Sequence, residues 1–174
     1  MQETPAQYTQ RILGLTEGLE PLAVLQGTPG RLADWLAAAP AADWARRPAP
    51  GRWSAGEILA HLADTEIVFA WRFRMILATD AVPIQAYDQD LWADAFKYPQ
   101  VDPHASLALF TPVRKATLAL LTRVDPARHA HHGVHAERGR ETVPHLMRMW
   151  AGHDVNHLKQ IEHLLGVPPQ ARAG

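Results

Sequence analysis

Four long stretches of this chain repeat apolar residues every three to four positions, and prolines and glycines punctuate the gaps between them. That spacing puts the apolar side chains on one face of a helix, and each such face needs a partner to cover it. Alternating β-branched runs bounded by turn residues are missing, as are Asn-Gly and Asp-Gly hairpin turns. Four amphipathic helices with no evident sheet to pack on predict an all-α, four-helix bundle. At 174 residues the chain is long enough to enclose a proper core and is expected to form a single domain over 1–174.

The first helical region runs from about Pro5 to Ala39, with Leu22, Leu25, Leu32, Trp35 and Leu36 recurring at helical spacing and a break expected near Gly27-Thr28-Pro29-Gly30. The proline-rich stretch Pro40 to Arg52 is expected to be a loop. The second helix has the clearest start: Ser54-Ala55-Gly56-Glu57 is a capping box, in which serine accepts from the amide three residues on and glutamate reaches back. It continues to about Ala78. An excursion from Asp80 to Pro103 holds a short helix over Asp88 to Ala95. A third helix covers about His104 to Arg123, and a histidine-rich, basic loop follows from Asp125 to Arg140. The last helix runs from about Glu141 to Leu165, where Gly166 and Pro168 form a stop signal.

Composition removes several function classes. The formal net charge of -1 lacks the basic excess on which nucleic-acid binders depend. The most apolar stretch, Ile58 to Ala78, is interrupted by His61, Asp64, Glu66, Arg72 and Arg74, so a membrane span is not expected. The opening Met1-Gln2-Glu3-Thr4-Pro5 has neither the basic start nor the apolar core of a signal peptide. Together with the lack of cysteine this makes a cytoplasmic location the expectation. Without cysteine, any metal must be held by nitrogen and oxygen donors, and the ten histidines are the place to look.

His153 and His157 stand four residues apart, on one helical face, in the inward seam formed by Leu146, Met149, Trp150, Ile161 and Leu164. They occupy places where leucine belongs, and burying neighbouring imidazoles costs energy unless something hydrogen-bonds or ligates them. His61 shows the same oddity beside Ile58, Leu62, Thr65 and Val68. Taken alone, each is more simply a satisfied core histidine. Three on two long helices of one bundle point to a metal site built from facing helices, suited to zinc, nickel or ferrous iron with positions left for water or substrate.

The stretch Trp53-Ser54-Ala55-Gly56-Glu57-Ile58-Leu59-Ala60-His61-Leu62-Ala63-Asp64-Thr65-Glu66 resembles the first signature of the DinB/YfiT-like bundle proteins. Gly139-Arg140-Glu141-Thr142-Val143, then His153-Asp154, His157-Leu158 and Gln160-Ile161, resemble the second. The resemblance covers nearly the whole chain. It implies an up-down-down-up four-helix bundle, often a homodimer, with one divalent metal ion per chain held by His61, His153 and His157. Relatives include thiol transferases and isomerases that use bacillithiol or mycothiol; others are metal-dependent hydrolases. The activity expected on this analogy is metal-dependent transfer of a low-molecular-weight thiol to a small electrophile. The alternatives are metal-assisted hydrolysis, a non-catalytic metal-binding stress-response module, and a structural bundle with histidines as core polar groups.

Other residues carry weaker signals. Asp64 could orient an imidazole from behind, or be a solvated helix carboxylate. Glu66 is expected to form an ordinary salt bridge with Arg72, Arg74 or Arg114. Asn156 and Gln160 flank the proposed ligands. Tyr87, Asp88, Asp90 and Trp92 could cover a pocket or simply pack. His129, His131, His132 and His135 could take up metal adventitiously, with solvated loop histidines the plainer reading. The six tryptophans are expected to be core and interface anchors.

Overall fold

The computed structural model describes residues 3–167; the remaining residues, Pro168 of the stop signal among them, lie outside that range. Among the described residues seven α-helices are arranged as α1 (Pro5–Gly14), α2 (Pro21–Ala38), α3 (Ala41–Ala45), α4 (Ala55–Ala78), α5 (Gln89–Ala95), α6 (Pro103–Arg123) and α7 (Val143–Leu165). The four long ones, α2, α4, α6 and α7, form the bundle. Their directions follow from two core clusters. In one, Leu25 from the start of α2 and Leu146 and Trp150 from the start of α7 meet Phe73 and Ile76 from the end of α4 and Leu121 from the end of α6. In the other, Leu36 from the end of α2 and Leu158 and Ile161 from the end of α7 meet Ala55 and Ile58 from the start of α4 and Phe110 of α6. Hence α2 and α7 run one way and α4 and α6 the other, an up-down-down-up bundle. Side chains such as Phe73, Phe110 and Trp150 are fully buried, and each contributes roughly 1.5–3 kcal/mol of apolar burial.

Local chemistry sets the helix ends. Ser54 Oγ accepts from the Glu57 amide while Glu57 Oε2 accepts from the Ser54 amide, the capping box expected from the sequence. Arg47 closes over the same glutamate. Gly166 ends α7 in the left-handed conformation, at φ +65°, which costs glycine little.

The structure departs from the sequence expectation in three places. The first helical region breaks at residues 15–20, not at 27–30. Gly18, at φ +71°, makes the turn, and Pro21 opens α2 at its first position. Pro29 is tolerated inside α2 because the carbonyl it leaves without a helical donor, that of Leu25, accepts from Arg114 Nη1 at 2.8 Å. Second, the segment 40–52 contains α3, which seats the buried Trp44.

Third, the basic segment after α6 is not a free loop. A short 3-10 turn (Pro126–Ala130) leads into a sheet of β1 (Val82–Ile84), β2 (His132–His135) and β3 (Gly139–Thr142). β1 pairs in parallel with β2, Ile84 opposite His135, and β2 and β3 form an antiparallel hairpin, His135 opposite Gly139. Strands of three and four residues are too short to show a period, and Gly133 is a poor strand former. Its bare Cα suits the close packing here, since a Cβ would lie 2.0 Å from Ile84 Cδ1 and the Ile84 side chain would have to shift. The sheet leads directly into α7. Among the described residues no helix is long and apolar enough to cross a membrane.

Candidate metal centre

His61 comes from α4, and His153 and His157 from successive turns of the facing α7. All three are buried. His61 Nε2 lies 3.0 Å from His153 Nε2, and one nitrogen from each of the three rings falls within 4.8 Å of the others. Among the described residues no other group of three or more histidine, aspartate or glutamate side chains converges in this way. Trp53 packs at 5.1 Å from the His61 ring and Phe69 at 6.4 Å from the His153 ring, giving the cluster an aromatic wall.

The protonation chemistry favours lone pairs. Burial, reinforced by the neighbouring imidazoles, holds His61 and His153 well below the ordinary histidine range. Burial also lowers His157, to about 4. All three are therefore neutral at pH 7. The Nδ1–H of His157 donates to Gln160 Oε1 at 2.8 Å, leaving its Nε2 as the lone-pair nitrogen. Nδ1 of both His61 and His153 is buried without a partner. In a metal-free protein two neighbouring rings can share only one proton between their facing Nε2 atoms. A cation would satisfy the lone pairs of all three, and three neutral nitrogens fit a divalent ion of the zinc, nickel or ferrous type.

Among the flanking residues Asp64 takes another partner than an imidazole, while Glu66 makes the expected arginine pair. Asp64 does not orient an imidazole: it accepts a 2.6 Å hydrogen bond from Tyr98, in the turn that follows α5. Glu66 pairs with Arg114, not with Arg72 or Arg74. Arg114 is completely buried and binds Glu66 and Asp154 with two hydrogen bonds each, at 2.6–3.0 Å, while Trp150 Nε1 also donates to Glu66. Burial pushes Glu66 up to about 7 against the pull of Arg114. Because Asp154 adjoins His153, this fork fixes the rotation of α7 that turns His153 inward. Asn156 accepts from Arg11 of α1 at 3.0 Å.

The histidines around β2 are dispersed rather than clustered. His129 contacts the Leu121 carbonyl, His131 the Ile76 carbonyl and His132 the Asp80 carboxylate. His135 points elsewhere, into a cavity of about 290 Å³ whose wall also includes Tyr8, Arg72, Tyr87, Met149 and His153. Tyr87 thus belongs to this wall, with its hydroxyl 3.1 Å from Thr65 Oγ1 and its ring on Trp92. A second recess of about 500 Å³, lined by Trp53, His157 and Gln160, reaches the triad from the other side. Nothing in the sequence period marks Tyr8, Arg72 or His135 as neighbours of the site. Only the fold of α1 and the β-hairpin onto α4 and α7 brings them there.

The profile of the DinB superfamily matches residues 25–161, a span that contains all three histidines. The chain belongs to the DinB superfamily. Within it, the chain is 25% identical over 114 residues to OB0782 of Oceanobacillus iheyensis, covering 66% of each. It is 24% identical over 115 residues to YfiT of Bacillus subtilis, covering 66% of this chain and 65% of YfiT. Both names class those proteins provisionally as metal-dependent hydrolases. The matches span just under two thirds of either relative's length.

The solved structure of Bacillus subtilis YfiT, described as a probable metal-dependent hydrolase with an unusual four-helix bundle topology, superposes with a TM-score of 0.74 at 21% identity. That match covers 84% of this chain and 86% of YfiT. A mycothiol-dependent maleylpyruvate isomerase superposes with a TM-score of 0.58 at 16% identity, over 81% of this chain and 57% of that one. At these identities the two structures establish the shared bundle of the DinB/YfiT-like fold.

Proposed function

We propose that this DinB-superfamily protein holds one divalent metal ion, zinc, nickel or iron, with His61, His153 and His157, and uses it on a small molecule that enters beside His153. The observation that carries the proposal is the convergence of three buried, neutral imidazoles next to a cavity. When bound, the ion supplies Lewis acidity, which makes a thiol or a water more acidic.

The chain's own residues do the rest. His157, fixed by Gln160, and His153, fixed by the Arg114 fork through its neighbour, present lone pairs without first having to lose a proton. Trp53, Phe69 and Met149 give the site an apolar wall.

Thiol transfer to a small electrophile is the preferred reaction. The chain has no cysteine of its own, so a thiol nucleophile would arrive as a cosubstrate, and a structural neighbour is mycothiol-dependent. Hydrolysis is the second reading, favoured by the names of the two sequence relatives. A homodimer in the cytoplasm belongs to the same proposal.

Metal content per chain, measured on protein purified without a nickel column, tests it. Near-stoichiometric metal in wild type and its loss in His157→Ala are expected, followed by metal-dependent consumption of an electrophile with a small thiol. Wild-type protein that refuses zinc, nickel, manganese and ferrous iron would overturn the metal centre. Ester hydrolysis without any thiol dependence would replace transfer by the second reading.

A further inference from the structure

The cavity beside His153 contains a buried cation that no carboxylate touches; Glu141 acts on it only from a distance. Arg72, on α4, is only 6% exposed. Its Nη2 donates to the Gln85 carbonyl at 2.9 Å, but its Nε, also buried, has no partner. Among the described residues no carboxylate comes within 4.0 Å of it; the ion pairs are made by other residues. Arg114 provides the contrast within the same bundle: completely buried, it is held by two carboxylates. A buried guanidinium keeps its charge, and leaving it uncompensated is costly.

His135 adds a second unmet donor at the same place. Its Nδ1 accepts from the Glu137 amide at 3.2 Å, which puts the proton of the neutral ring on Nε2. That Nε2–H lies 3.4 Å from Arg72 Nη2. Two donors face each other across the cavity wall with no acceptor between them. Both side chains line the 290 Å³ space together with Tyr8, Phe69, Met149 and His153.

We propose that this cavity recognises a small monocarboxylate with an apolar body, its carboxylate accepting from Arg72 and His135 and its body lying between the aromatic rings and Met149. A single negative charge is the match. The other cation of the wall, Arg138, is already bound to Glu141, and Glu3 and Glu137 line the same space, so a dianion such as phosphate would meet repulsion. The inference deepens the proposed function by naming a substrate class, and rests on that function only for the claim that the bound molecule is the reactant. Binding of the carboxylate does not itself require the metal.

The test uses calorimetric titration of metal-free full-length protein with phenylacetate, with the equally shaped but uncharged phenylacetamide, and with inorganic phosphate. Wild type is expected to bind phenylacetate about tenfold or more tightly than the amide, as suits a charge-assisted hydrogen bond in a buried site. Arg72→Gln should bring the acid down to the level of the amide, and Arg72→Lys should retain part of the preference. Equal binding of acid and amide by wild type overturns the proposal without recourse to any variant, and undiminished binding by folded Arg72→Gln does so too. Preference for phosphate would overturn the monoanion. The same titration on His157→Ala, beside the metal measurements, separates the two proposals. Discrimination of acid from amide in a chain that never takes up metal would leave the pocket and remove the centre; stoichiometric metal without discrimination would do the reverse.

Discussion

The carbonyl oxygen of Leu25, deprived of its helical donor by Pro29, accepts a 2.8 Å hydrogen bond from Arg114 Nη1. The same guanidinium forks between Glu66 and Asp154 and lies over the rings of Phe110 and Trp150. One side chain of α6 thus ties α2, α4 and α7 together at the level of the histidines. Arg114→Met should strand two buried carboxylates and one carbonyl, at a cost of about 3–5 kcal/mol. The expected result is a urea midpoint well below wild type, with Asp154→Asn in the same background recovering part of the loss. A midpoint within error of wild type would show that the fork is dispensable.

His153 and His61 make the opposite case, a buried pair whose unpartnered Nδ1 atoms are expected to cost the metal-free fold stability. Their Nε2 atoms face each other at 3.0 Å, and both Nδ1 atoms are buried without partners. His153→Leu, which fills the seam with the residue type its position favours, is expected to stabilise protein in chelator by about 1–2 kcal/mol and to abolish the rise in melting temperature caused by zinc. A fall in stability in chelator would mean that the histidines serve the fold as core polar groups.

The same cluster dictates a pH dependence. His157 moves from an ordinary value of 6.5 to about 4, His135 also to about 4, and burial holds His61 and His153 well below the ordinary histidine range. With folded values depressed, the unfolded chain binds more protons below about pH 6.5. The stability contribution is therefore complete above that pH and is lost as pH falls towards 4. For His157 alone the loss is about 3 kcal/mol. Glu66, pushed up to about 7, works in the other sense between its two values, as does Asp64, raised by burial, but the lowered histidines, His145 among them, outnumber these two. Urea midpoints of metal-free protein should fall steadily from about pH 7 to pH 5. A flat profile would contradict neutral, buried imidazoles.

How much of this the sequence discloses depends on the range of the interactions. The capping box at Ser54, the inward seam of α7 and the placement of His61, His153 and His157 are local patterns of a helix, and their expected positions agree with the structure. Pro29 misleads because its helical defect is repaired by Arg114, far away in the chain. The strands escape notice because their pairing joins Val82 to Gly133, with neither strand long enough to show alternation. Asp64 has the right spacing from His61 to serve it, yet Tyr98 takes its carboxylate. Arg72 looks like any arginine of a long helix, and only the fold shows that the hairpin brings His135 against it and that its buried Nε has no partner.

Gly152 gives a test in which two physical rules predict opposite signs. It lies within α7, where alanine is favoured over glycine by roughly 1 kcal/mol on helix propensity alone. A Cβ there, however, would sit 2.2 Å from the Ile12 carbonyl oxygen and 2.8 Å from Ile12 Cγ2. The first of these is backbone, so α1 must move as a body. Because α1 carries Tyr8 into the cavity and Arg11 onto Asn156, its displacement would open the cavity wall as well as weaken the fold. Gly152→Ala is therefore expected to lower the urea midpoint and to make the segment before Pro21 an early site of proteolytic cleavage, while metal binding by the triad on α4 and α7 persists. Stabilisation by the alanine, with α1 still protected, would mean that the close approach of α1 to α7 does not hold in solution.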